Sequence, residues 1–180
     1  MVHDSHCCGE VRLASHDHPV KSRTMSLFLN HKRNRIGSVL VALQFGFMSL
    51  LTALAAPGVL KGNITIGALA LAALSLGLFL WTLVHNRLGN FNIHPTPKSL
   101  GVLITTGPYQ QIRHPMYTSV LLGAASLALM SDPLLGWTVW TALAIVLLVK
   151  STLEERWMNE THPGYSAYIR ESKRFIPWVF

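Results

Sequence analysis

Hydrophobic and polar positions along the chain fall into blocks, not into the short alternations of a soluble fold. Ile36 to Ala56 and Ile64 to Val84 contain no charged residue. At about 1.5 Å of rise per residue, each reaches across a hydrocarbon core of roughly 30 Å. Two shorter apolar runs, Met116 to Met130 and Leu134 to Val149, are separated only by Ser131-Asp132-Pro133, which reads as a tight helical hairpin. Buried core helices are the plain alternative for runs this short. The two upstream spans, and a following Lys150 able to snorkel, favour the membrane. The pattern predicts an all-α integral membrane protein with about four transmembrane helices, a C-terminal helical hairpin and a short interfacial C-terminal helix. Pro57 is expected to stop the first helix. Ala73 with Gly77, and Ala124 with Ala128, place small residues one turn apart, the spacing that lets helices approach closely in lipid.

The polar remainder divides the chain into residues 1–30, a His-rich tail expected to be disordered, 31–87, the first two helices, and 88–180, which carries the chemistry. His3, His6, Cys7, Cys8, His16 and His18 are donor types that zinc or copper accepts. Adjacent cysteines match no standard zinc spacing, so no metal site is expected, and two cysteines imply no disulfide framework. Basic and polar residues continue to Arg35, which is not the pattern of a secretory signal. The loop His85 to His114 is long for a compact bundle, and a connection of that length is usually functional or disordered. Its "VLIT" and Tyr109 point to packing.

Half of the 180 residues are hydrophobic and 13% are charged, which agrees with a membrane protein, and the net charge is +7. Lys32, Arg33 and Arg35 precede the first span, Arg87, Lys98 and Arg113 follow the second, and Arg156, Arg170, Lys173 and Arg174 follow the fourth. The other side has Lys61 and Asp132. Both termini and the middle loop are therefore expected in the cytoplasm, at a bacterial inner membrane or the endoplasmic reticulum. The lipid bilayer is the expected partner. No basic patch is interleaved with aromatics, so nucleic acid is not expected.

Chemistry concentrates in "GPYQQIRHPMY", Gly107 to Tyr117. Pro115 suits the first position of a helix, where its missing N–H costs nothing. The free N–H groups and positive dipole end of that helix make a place for a carboxylate or phosphate, to which Arg113 and His114 can add donors. Interfacial anchoring is the plain reading of the same pair. Glu154 and Glu155, in "STLEERWMNE", arrive at the same interface on the continuing fourth helix. Carboxylates there are costly unless paired or functional. Two readings stay open: an Arg113–Glu salt bridge, or a pocket with cationic donors at one end and a hydroxyl-accepting carboxylate at the other. Tyr165, Tyr168 and Ile169 share one face of a short helix that lies on the membrane or covers the pocket, with the plain interfacial helix the favoured reading, and Phe175, Ile176 and Trp178 are expected to anchor the end among head groups.

The series "PKSLGVLITTGPYQQIRHPMYTSVLLG" followed by "EERWMNETHPGYSAYIRESKRFIP" resembles the isoprenylcysteine carboxyl methyltransferase family and its bacterial and phospholipid methyltransferase relatives. The resemblance covers about half the chain, from Leu88 to Pro177. It implies an integral-membrane enzyme that uses S-adenosyl-L-methionine, bound by His94, Gly101, Val102, Leu103, Ile104, Tyr109, His114, Pro115, Tyr117 and Glu155. Two departures stand out. "HPG" at 162–164 replaces the family's Phe-Gly, and Ser151 stands where eukaryotic members have an arginine one turn before the second Glu, which disfavours a prenylcysteine carboxylate as substrate.

Methyl transfer from a sulfonium mainly requires positioning and exclusion of water. Arg113, His114 and Glu154 are the expected catalytic residues, and a thiol or amine acceptor would use a base from among His114, His94 and Glu154. The expected acceptor is lipophilic or small and membrane-partitioning. N-methylation of phospholipid ethanolamine is the runner-up, with an NADPH-dependent membrane reductase and a metal-handling protein as readings from other classes. The sequence leaves the acceptor and the oligomeric state open.

Overall fold

The computed structural model describes residues 19–86 and 103–179, with side chains from residue 31. The chain divides into two units, Met1–Lys32 and Arg33–Phe180. The described residues form five α-helices: α1 Pro19–Leu60, α2 Ile66–His85, α3 Pro115–Leu129, α4 Pro133–Thr161 and α5 Tyr165–Glu171. A 3₁₀ turn at Gly107–Gln110 precedes α3. Among the described residues there is no strand, only a parallel bridge between Ile112 and Lys173.

Among the described residues three helices are long and apolar enough to cross a membrane: His31–Leu60 within α1, α2, and α4. The chain reads as a multi-pass membrane protein. The expected fourth span, α3, has 15 residues, fewer than the roughly 20 of an ordinary crossing, yet it runs from the His114 end of the bundle to the α1–α2 turn, where Met130 meets Gly58. It is cut at one end by Pro115 and at the other by the Asp132 cap, whose side chain accepts from Leu135 N at 3.0 Å to start α4.

Helix α1 does not stop at Pro57 as expected; it runs on to Leu60 with that proline inside it. The turn comes at Lys61 to Ile64, where Gly62 takes a φ of 73°, and Thr65 caps α2 by accepting from Ala68 N at 3.2 Å. Gly58 lies directly on the Met130 carbonyl, leaving no room for a Cβ. The α1–α2 turn therefore packs on the α3–α4 turn.

Leu51 of α1, Ala124 and Ala128 of α3, and Leu143 and Leu147 of α4 form the central buried cluster. In lipid such contacts work by close packing and by hydrogen bonds between helices. Ser75 donates to Ser119 O at 2.7 Å, Ser126 to Ala68 O at 2.8 Å, and Trp140 Nε1 to Leu121 O at 2.9 Å. Of the two small-residue pairs, Ala124 and Ala128 pack as expected, whereas Ala73 and Gly77 lie on the exposed face of α2 with open space at Gly77. Spacing reveals where a neighbour could come close, not whether one does.

Lys150 does not snorkel. It is 2% exposed, donates to Gln44 Oε1 of α1 at 2.9 Å, and lies 5.1 Å from the centroid of the Tyr117 ring. Ser151, beside it, is fully buried and donates to Leu148 O at 2.9 Å.

Candidate functional site

The site is assembled where the 3₁₀ turn, the start of α3, the end of α4 and the chain after α5 meet. Gly107 takes a φ of 62° and its bare Cα is against the His85 ring of α2, so neither its backbone nor its surroundings tolerate a side chain. That turn leads into Arg113 and His114. His114 occupies the position before α3, and Pro115 is its first residue, as the sequence predicts.

The chain after α5 then runs alongside. Lys173 N donates to Gln111 O at 2.9 Å, Arg113 N to Lys173 O at 2.7 Å, and His114 N to Arg174 O at 3.1 Å. Thr118 Oγ1 donates to Phe175 O at 2.9 Å. The C-terminal segment is thus a strap laid across the start of α3.

Glu155, one of the last residues of α4, is 9% exposed and receives three donors. Arg113 Nε donates to Oε1 at 2.8 Å, Arg174 Nη2 to Oε2 at 2.7 Å, and Arg174 Nε to Oε1 at 3.3 Å. His114 Nε2 is 3.1 Å from Oε1. Arg113 also donates through Nη1 to Ile169 O at 3.2 Å and to Ser172 O. The salt bridge left open in the sequence is therefore made, and the His114 side chain at the start of α3 meets the same carboxylate.

Glu154 has a different environment. Its side chain is 29% exposed, it accepts from the Tyr117 hydroxyl at 2.8 Å, and the Nδ1 of His114 is 3.7 Å away. The His114 and Tyr117 rings stack at 5.2 Å with 2° between planes. Phe175 closes the corner, 5.9 Å from His114 and 6.5 Å from Tyr117. It is buried, so of the three residues expected to anchor the C-terminus, Ile176 and Trp178 are exposed and Phe175 belongs to the site.

Tyr165 and Tyr168 face inward and are buried, so of the two readings of this face α5 takes the covering one rather than the favoured interfacial one. Tyr168 donates to Tyr109 O at 2.6 Å. Tyr109 is pushed up to about 12 by burial and, next, by the negative charge of Glu154. Tyr165 and Tyr168 are also raised, chiefly by burial. Tyr168 also lines a cavity of about 380 Å³, together with Leu103, Thr105, Gln110, Gly164, Ala167 and Glu171. That is within the size range of small-molecule sites.

Of the expected site residues, Arg113, His114, Pro115, Tyr117, Glu154 and Glu155 are brought together, Tyr109 adjoins them through Tyr168, and Leu103 lines the cavity. Ile104 is half-buried in the same segment. His94, Gly101 and Val102 lie outside the described residues, as do His3, His6, Cys7, Cys8, His16 and His18. Among the described residues no group of three or more His, Cys, Asp and Glu could hold a metal. Sequence reasoning missed Arg174, counted only for its charge, along with Phe175 and Gln44.

Residues 65–163 match the phospholipid methyltransferase family. The chain is 30% identical over 169 residues to the cobalt-zinc-cadmium resistance protein CzcN of Cupriavidus metallidurans, covering 91% of this chain and 72% of that one. It is 30% identical over 77 residues to the nickel-cobalt-cadmium resistance protein NccN of Alcaligenes xylosoxydans xylosoxydans, covering 42% of this chain and 36% of that one.

Proposed function

The chain belongs to the phospholipid methyltransferase family, and from that premise we propose that it transfers a methyl group from S-adenosyl-L-methionine to a lipophilic or small membrane-partitioning acceptor. The observation that carries this reading is the contrast between the two glutamates. Glu155 is neutralised by Arg113 and Arg174, while Glu154 beside it keeps acceptor capacity at a partly open corner walled by three aromatic rings.

That donor set suits the cofactor. A carboxylate with spare lone pairs accepts hydrogen bonds from ribose hydroxyls or an ammonium group, and aromatic faces favour a cation such as a sulfonium. The cavity beside Tyr168 offers room for the remainder of an adenosyl ligand. In this proposal Tyr109, His114, Pro115 and Tyr117 form the wall, Glu155 holds it, and Leu103 and Ile104 continue it, with His94, Gly101 and Val102 as further proposed cofactor contacts.

When bound, S-adenosyl-L-methionine supplies an electrophilic methyl group, and the S–CH₃ bond breaks with its electron pair left on sulfur as the acceptor–CH₃ bond forms. This chain's residues orient and exclude water. Arg113 fixes Glu155, and Glu155 fixes the His114 ring. Glu154 holds the Tyr117 hydroxyl and, for an amine or thiol acceptor, takes the proton; an ionised carboxylate acceptor needs no base.

Acceptor entry is proposed from the lipid, and both termini are proposed to face the cytoplasm, since Arg33, Arg113 and Arg174 lie with the site and Lys61 at the opposite turn. Labelling of cysteines introduced at Lys61 and Glu171 from each side of sealed vesicles decides the orientation: label reaching Glu171 from outside overturns it. The reaction is tested by incubating membranes with methyl-labelled cofactor and following label into lipid extracts. Label recovered in methylated ethanolamine lipids identifies the phospholipid reading, which the family's name favours. No label above control membranes, with folded protein present, contradicts both.

The relatives' names favour a second reading, a part in metal resistance. Deleting residues 1–30 separates it: a cofactor site built on residues 103–175 retains its affinity without the His-rich tail, whereas a metal-binding role would be lost.

A further inference from the structure

Glutamate side chains end in a broad, roughly two-fold torsion, so one hydrogen bond does not fix the plane of the carboxylate. At Glu155 the plane is fixed by anchors on both oxygens. Arg113 reaches Oε1 only, at 2.8 Å, because its Nη1 is spent on the carbonyls of Ile169 and Ser172. Arg174 spans the carboxylate, with Nη2 on Oε2 at 2.7 Å and Nε 3.3 Å from Oε1. Its Nη1 reaches Thr152 Oγ1 at 3.2 Å, three residues earlier on α4, which fixes the guanidinium in turn. The same residue's carbonyl accepts from His114 N at 3.1 Å.

We infer that Arg174 is a positioning residue of the site: acting through Glu155, it holds the His114 imidazole flat against Tyr117 and so shapes the wall that meets the ligand. The inference rests on the functional reading above but assigns a role to a residue outside the matched segment 65–163. Arginine is required for its fork, since a lysine ammonium is a point charge that cannot span two oxygens.

The test uses the full-length protein in detergent, with S-adenosylhomocysteine as the probe. Wild type, Arg174→Lys and Arg174→Ala are compared for affinity, for thermal stability, and for the ring nitrogen resonances of His114 without ligand. The expected result is an affinity loss of about tenfold or more in Arg174→Ala, only partly recovered in Arg174→Lys. Millimolar guanidinium chloride should restore it, and the same concentration of sodium chloride should not. The His114 ring signals should broaden or shift in Arg174→Ala even with no ligand present.

Unchanged affinity and unchanged His114 signals in Arg174→Ala would overturn the inference alone. So would a loss that follows lowered stability and ignores guanidinium. Silence of folded wild type toward the probe would overturn the functional reading and the ligand-wall role together, while the His114 signals would still report on the Arg174–Glu155–His114 linkage.

Discussion

Glu154 and Glu155 are adjacent in sequence and differ in what surrounds them. Glu155 is 9% exposed between two guanidinium groups, and removing one partner of a buried ionic cluster leaves uncompensated charge, at a cost of about 3–5 kcal/mol. Glu155→Gln should therefore lower unfolding stability by roughly that amount, read by denaturant titration in detergent. Glu154→Gln, at a partly exposed carboxylate, should cost about 0–1 kcal/mol while weakening ligand binding. Equal stability losses would contradict the division of roles. Tyr109 gives a pH signature. Its phenol is raised from 10.0 to about 12 in the folded chain, so its contribution to stability is complete below about pH 10 and is lost as pH rises through about 12. The fall in thermal midpoint over that range should be shallower in Tyr109→Phe; an unchanged slope would place the alkaline loss elsewhere. Local chemistry made part of this corner legible. Pro115 announces the start of α3 because its ring fixes φ, and the Glu pair stands out because carboxylates are rare near a membrane. Arg174 was not legible, since it reaches Glu155 only after the chain has turned through α5.

The helices show the same division between local and distant causes. The turn at Ser131-Asp132-Pro133 and the continuation of α4 through Glu155 follow from neighbouring residues, and the structure has both. The end of α1 depended on Pro57, whose effect is local, yet the helix continues because its last turn packs with Gly58 on the α3–α4 turn. Lys150 looked like a snorkelling residue because the sequence places it at the end of an apolar run. It turns inward because Gln44 on α1 supplies an acceptor and Tyr117 a ring face. Gln44→Leu should then cost about 1–3 kcal/mol, by leaving a buried donor without its acceptor. Adding Lys150→Met should recover most of that loss, as a thermal-stability cycle would measure. Simple additivity of the two substitutions would show that the pair does not couple α1 to α4.

At the scale of the molecule, three membrane-length helices and a shorter fourth bring one end of the bundle together around His114, and the strap after α5 locks that end from outside. Apolar block lengths foretold the spans and already marked the third run as short, while the extension of α4 to Thr161 carried it well past its apolar block. The family match covers α2 to α4 and the Glu pair, but it begins after α1 and stops at residue 163, before the strap that completes the cluster. The most direct test is calorimetric titration of S-adenosylhomocysteine into the purified full-length protein, alongside Glu154→Gln and His114→Ala variants shown to be folded. Saturable binding at one site, weakened about tenfold or more in both variants, is the predicted result. No binding to folded, lipid-supplied wild type, or equal binding by all three proteins, would contradict a cofactor site at the His114 corner.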